Sequence, residues 1–222
     1  NDLDYTKRKL QEIKNLKPRV IGSYTKGIKQ NVSFNGSKYY VDAALALVQL
    51  PEEEQLSLIN EGTKLCENTY EITSYGQERE LINTEVEVPT TNGNYKPVAE
   101  LSQRIELHKC GRTTGLTAKG KIIDGNIFLP KLPREENGTS GYSWCYNCLR
   151  IESELMKPFS DLGDSGSLVL DEEGNACALI FAKLKTACGR RLSIACPIEL
   201  VLKELGSLIN SELTIIGRIG LP

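Results

Sequence analysis

The feature that most constrains the fold is the rhythm of the second half of the chain. From Arg104 onward, short runs rich in Val, Ile, Leu and Thr are broken repeatedly by Gly, Asn and Asp. That spacing belongs to antiparallel strands joined by tight turns. Strands are predicted over 105–110, 115–123, 148–151, 167–170, 176–182 and 192–195, with a hairpin turn at Asp171-Glu172-Glu173-Gly174-Asn175. One helix follows: Pro197 takes its first position, Ile198, Val201, Leu202 and Leu205 recur on one face, and Gly206 is predicted to end it. The first half is less regular. Val20–Tyr24, Val32–Phe34 and Tyr39–Val41 read as strands, with Asn35-Gly36 as a turn between the last two. Residues 3–17 read as a short basic helix or an irregular connector, and Thr84–Val88 alternates like a strand with one wet face. About a dozen short strands and one terminal helix predict an all-β barrel architecture.

Composition narrows the class of function. The 222 residues suffice for one large domain or two small ones. Twenty-seven Lys and Arg against 29 Asp and Glu give a formal charge of −2, which offers no footprint for nucleic acid or an anionic membrane. No apolar run approaches the roughly 18 residues of a membrane span. The chain begins at Asn1, its single Met is Met156, and no charged-then-apolar segment opens it, so upstream residues and domains are expected in a longer parent. Seven cysteines are an odd set, leaving at least one without an intrachain disulfide partner. Sequons at Asn31 and Asn137 do not settle the compartment.

Chemistry concentrates in a few places. Gly163-Asp164-Ser165-Gly166-Ser167 is a tight turn that leads into the apolar strand Leu168-Val169-Leu170. Such a turn exposes a serine hydroxyl while aiming backbone N–H groups at one point, as acyl transfer requires. It is equally a polar turn before a strand. Asp42 lies inside the apolar run from Tyr39 to Val48. It reads either as the N-cap of a helix starting at Ala43 or as a carboxylate that orients a catalytic imidazole. Cys145-Tyr146-Asn147-Cys148 supplies two metal ligands, which His108 and Cys110 on one strand face could complete. The same cysteines read as free or disulfide-bonded thiols beside Trp144.

Three of these stretches carry a family resemblance. Gly163–Ser167 resembles the nucleophile motif of trypsin-like, chymotrypsin-fold serine peptidases, and Val41-Asp42-Ala43-Ala44-Leu45-Ala46 resembles their Asp-containing segment. His108-Lys109-Cys110-Gly111-Arg112-Thr113-Thr114-Gly115-Leu116-Thr117 is similar to the start of the second barrel in a non-digestive branch found in bacteria and inside eukaryotic cells. The closing strand and helix, Ala178–Ala182 and Ala195–Ile198, resemble that branch too. The likeness spans about residues 19–206. It implies an all-β, chymotrypsin-like double β-barrel. Residues 1–100 would form the N-terminal barrel, incomplete at its start, and the connection. Residues 101–206 would form the C-terminal barrel with its helix, and 207–222 a tail.

The resemblance also assigns roles. Ser165 would be the nucleophile and Asp42 the orienting carboxylate, with the N–H groups of Gly163 and Ser165 forming the oxyanion hole. Phe159, Ser160, Asp161, Phe181, Ala182 and Lys183 would line the primary substrate pocket. Phe159 stands where a trypsin carries its Asp, so a preference for basic side chains is not implied. The substrate would be a protein or peptide, no cofactor would be needed, and the branch leans towards the cytoplasm.

The departure is the base. The family's order is His, Asp, Ser, yet no His precedes Asp42, and the chain's single His, His108, falls in a strand of the second barrel. Catalysis from His108 would follow the subtilisin order Asp, His, Ser, without a subtilisin serine motif. The expectation is therefore a serine endopeptidase domain whose His lies upstream and which is inactive as this chain. Losing the His of such a unit costs about six orders of magnitude in turnover. The alternative is a pseudoprotease, a barrel kept as a binding or scaffolding module.

Overall fold

In the computed structural model, residues 22–49, 91–123, 129–130, 144–153, 158–186 and 189–216 are described. The expected connector at 3–17, the strand at 84–88, Cys66, Cys188 and Asn137 lie outside them, as does the side chain of Trp144.

The first element is a long hairpin, β1 (Gly22–Phe34) and β2 (Ser37–Val48). Asn35 and Gly36 form its two-residue turn, both with positive φ (47° and 77°). That is the handedness that lets two strands pair directly without splaying. Register runs from Phe34 opposite Ser37 to Gly22 opposite Val48, with one irregularity between Tyr24 and Lys26. The three short strands predicted here are thus pieces of two long ones. The helix expected as an alternative from Ala43 is instead strand, because alternation continues: Val41 and Ala43 are buried while Ala44 and Ala46 are exposed.

The second half closes on itself. Strands β3 (Glu106–Gly111), β4 (Gly115–Ile123), β7 (Leu149–Ser153), β8 (Leu168–Asp171), β9 (Ala176–Lys185) and β10 (Arg191–Pro197) form a barrel in the order β10-β7-β4-β3-β8-β9. Every pairing in it is antiparallel. Two short strands, β5 (Leu129–Pro130) and β6 (Trp144–Cys145), make a separate ribbon. Each predicted strand after Arg104 is present; β7, β9 and β10 are longer than expected, and β3, β4 and β8 keep the predicted length.

Closure needs an apolar interior, and the alternating residues supply it. Leu107, Ile122, Ile151, Phe159, Val169, Cys177, Ile180 and Ala195 pack together. The terminal helix α1 (Ile198–Ile209) covers a second core, where Ile198, Leu200, Val201 and Leu205 meet Ile28, Val32, Val41 and Ala43 of the hairpin and Leu170 and Cys196 of the barrel. A third cluster joins Tyr40 of β2 to Cys145, Cys148, Leu192 and Ile194. The hairpin is therefore fastened to the barrel by packing on both its faces.

Helix α1 differs from expectation at both ends. Pro197 is its N-cap and last strand residue, and Gly206 lies inside it, buried. The terminator is Asn210, which adopts the left-handed conformation (φ 53°, ψ 42°) and donates its N–H to the carbonyls of Gly206 and Ser207. Asn tolerates that conformation better than other residues with a side chain.

Segment 91–97 is fastened to the β8–β9 side of the barrel. Lys96 Nζ pairs with Asp171 at 2.6 Å, Asn92 bonds to the carbonyls and side chains of the β8–β9 turn, and Tyr95 bridges to Ala176.

Candidate active site

The turn before β8 is built around Asp164, which is fully buried. Its Oδ1 accepts from the N–H of Thr113 at 2.7 Å and of Thr114 at 3.3 Å. Its Oδ2 accepts from Thr114 Oγ1 at 2.7 Å and from the N–H of Asp161 at 3.0 Å. Lys109 Nζ, also fully buried, lies 3.3 Å from the same oxygen and donates to Thr114 Oγ1 at 2.6 Å. Burial alone would raise the pKa of Asp164, but these hydrogen bonds and the Lys109 charge outweigh it and hold the carboxyl at about 2. Lys109 and Thr114 belong to the β3–β4 hairpin, so this ion pair fastens the serine turn to the barrel wall.

Held this way, the turn distributes its donors unevenly. Asp164 donates its N–H to Asp161 O at 3.0 Å, and Gly166 to Ile180 O at 2.8 Å. Among the described residues, the N–H groups of Gly163 and Ser165 have no acceptor. Gly163 has φ +100°, which lets the peptide plane turn and which a residue with a side chain rarely adopts. Ser165 is exposed, and its Oγ makes a long contact of 3.4 Å to the carbonyl of Phe181.

Phe181 is also the link to the hairpin. Its ring meets that of Tyr40 with centroids 5.4 Å apart. Tyr40 and Asp42 are two residues apart on β2 and so project from the same face, opposite to Val41 and Ala43. The Asp42 carboxylate is half-buried and pairs with Lys29 Nζ at 3.0 Å across the hairpin, where the two residues are register partners. Its carbonyl receives Cys196 Sγ from β10 at 3.8 Å. Burial, with Asp42 and the neighbouring thiols adding to it, raises the Tyr40 phenol far above its ordinary value.

His108 lies elsewhere. It is the register partner of Leu170, and the carboxylates that act on it are Asp171, Glu106 and Glu172. Burial lowers its pKa, and its Nε2 is buried with no hydrogen-bond partner among the described residues.

The expected pocket residues divide. Phe159 is 1% exposed in the barrel interior, its ring 5.9 Å from Lys109 Nζ, so it is a core side chain and not a cleft surface. Ser160 is buried and its Oγ bonds Ser193 Oγ at 2.6 Å. Asp161 and Lys183 form an ion pair, and that bond, with the Leu162 N–H next, holds the Asp161 carboxyl below its ordinary value. Phe181 and Ala182 are half-buried.

Sequence reasoning missed Lys109, Thr113 and Thr114 as the partners of Asp164. The signal was present: Lys109 is two residues from Leu107 on an inward-facing strand position, where a cation needs a buried partner.

Among the described residues, Cys148, Cys177 and Cys196 are free thiols. Burial raises Cys148 strongly and pushes Cys177 up to about 12 and Cys196 to about 11. Among the described residues, no group of three or more His, Cys, Asp or Glu could hold a metal ion, and no helix is long and apolar enough to cross a membrane.

No family model matches the chain, and no curated protein does. Among solved structures it is similar to one described as a glutamic acid specific serine protease that uses a novel histidine triad in substrate binding. The identity is 16%, the match covers 88% of this chain and 92% of that one, and the TM-score is 0.40. The architecture of this chain stands on its own strand pairing: a closed six-stranded antiparallel barrel with a C-terminal helix.

Proposed function

We propose that this chain is a serine endopeptidase domain in which Ser165 is the nucleophile, Asp42 orients the general base, and the N–H groups of Gly163 and Ser165 receive the oxyanion. The observation that carries this reading is the turn itself. Ser165 is exposed in a turn whose N–H groups at Gly163 and Ser165 have no acceptor among the described residues, while those of Asp164 and Gly166 are used. Donors left free in an ordered turn are suited to a charge that develops only during reaction. The motif resemblance supports the same roles.

In this reading the Ser165 proton passes to an imidazole held by Asp42, and the serine oxygen attacks the peptide carbonyl. The carbonyl oxygen then becomes the anion at Gly163 and Ser165, and the imidazolium returns its proton to the leaving amine. His108 does not take this part, since its neighbours are Asp171, Glu106 and Glu172 rather than Asp42. The chain is accordingly nearly inert alone, and Lys29 holds the Asp42 carboxylate. Asp161, Phe181, Ala182 and Lys183 remain the proposed borders of the primary pocket, Ser160 being buried like Phe159, and the substrate is a protein or peptide.

One observation favours the rival reading, a barrel that binds protein without cutting it: the only imidazole is elsewhere. A fluorophosphonate probe with added imidazole separates the two. The peptidase reading expects adduct on the tryptic peptide that contains Ser165, absent in Ser165→Ala. Adduct spread over other serines, or none at saturating imidazole, leaves the binding-module reading standing.

A further inference from the structure

Arg112 sits in the β3–β4 turn with its guanidinium laid over Gly163, Nη2 being 2.6 Å from where a Cβ on that residue would stand. It is exposed, and no carboxylate among the described residues pairs with it. The nearby acids are already committed, Asp164 to Lys109 and the two threonines, and Asp161 to Lys183. Thr113 Oγ1 donates to Leu162 O at 2.7 Å and so fixes the two turns side by side. One uncommitted guanidinium therefore lies against a turn that carries two uncommitted N–H donors, at Gly163 and Ser165. Such a group of donors suits an anion, and a planar guanidinium fork matches the two oxygens of a carboxylate. Leu162, 74% exposed beside it, offers apolar contact to whatever carries that carboxylate.

We infer that Arg112, with the N–H groups of Gly163 and Ser165, binds the α-carboxylate of a peptide C-terminus, the group that peptide-bond hydrolysis leaves on the acyl side of the cut. This rests on the reading of the 163–165 turn as an oxyanion site, and adds that Arg112 lets the same turn retain the product. The charge belongs to the product and not to the uncut amide, so the site distinguishes the two.

The test uses the full chain and two fluorescent tetrapeptides of one sequence, ending in a free carboxylate or in an amide, read by anisotropy. The acid is expected to bind about tenfold more tightly than the amide, as a charge-assisted contact allows. Arg112→Gln removes that advantage and leaves amide binding unchanged, Arg112→Lys keeps part of it, and about 0.5 M salt shrinks it. The exposed position of Arg112 means that the melting temperature of Arg112→Gln should match the parent. Equal binding of acid and amide, or a preference that survives Arg112→Gln, overturns the inference while the peptide cleft stands. Competition by acetate or inorganic phosphate at concentrations equal to the peptide acid overturns it too, because the site would then read any anion. Failure of both peptides to bind sinks the cleft reading, and this inference with it.

Discussion

The β3–β4 hairpin, about fifty residues away in sequence, meets the carboxylate of Asp164 through Lys109, Thr113 and Thr114, and Asp161 joins them from the same loop as Asp164. Removing one partner of a buried pair leaves a charge stranded, so Lys109→Met is expected to cost about 3 kcal/mol in urea unfolding. Such a loss well under about 1 kcal/mol would mean that the hydrogen bonds alone suffice. The folded pKa of about 2 lies below the ordinary carboxyl value, so Asp164 contributes fully above about pH 4 and loses that contribution as pH falls towards 2. The loss is on the order of 2 kcal/mol, and Asp164→Asn should flatten that limb of the stability curve. His108 acts in the same direction in a higher window. Its lowered pKa means that stability is present above about pH 6.5 and falls below it, although Asp171, Glu106 and Glu172 pull the other way. His108→Gln should reduce the drop in urea midpoint between about pH 7 and pH 5, where an unchanged drop would assign it to other groups. None of this was legible from residue types alone. Lys109 reads as a surface lysine until its strand register places it inward beside Leu107.

At the level of elements, period-two alternation and turn residues made most of the barrel legible, because each strand has one face in an apolar interior and so must alternate. The two-residue turn at Asn35-Gly36 was legible for the same local reason. Asp42 was not: an acid before an Ala-rich run satisfies a helix cap as well as a strand, and only its cross-strand pairing with Lys29 decides. The end of α1 was misread because a buried Gly inside a helix resembles a terminator, whereas the left-handed residue is Asn210. Asn210→Ala is accordingly expected to lower stability by about 1 kcal/mol, and Asn210→Gly to leave it equal or slightly higher. Thermal unfolding of the pair would show the opposite order if the helix ended at Gly206.

Across the whole molecule, the ring of Tyr40 on the hairpin meets that of Phe181 in the barrel, and the Phe181 carbonyl receives the Ser165 hydroxyl. The pocket border was the least legible part, because the fate of Phe159 depends on how the barrel interior fills, which no local pattern states. The central claim is that Asp42 and Ser165 serve one imidazole. The rate of Ser165 labelling by a fluorophosphonate, followed against imidazole concentration in the parent and in Asp42→Asn, tests it directly. A saturating rise of at least tenfold in the parent that is lost in Asp42→Asn is the result expected from an imidazole bound between the two. Equal, unsaturated rises in both proteins would show imidazole acting from bulk solvent and would contradict the account.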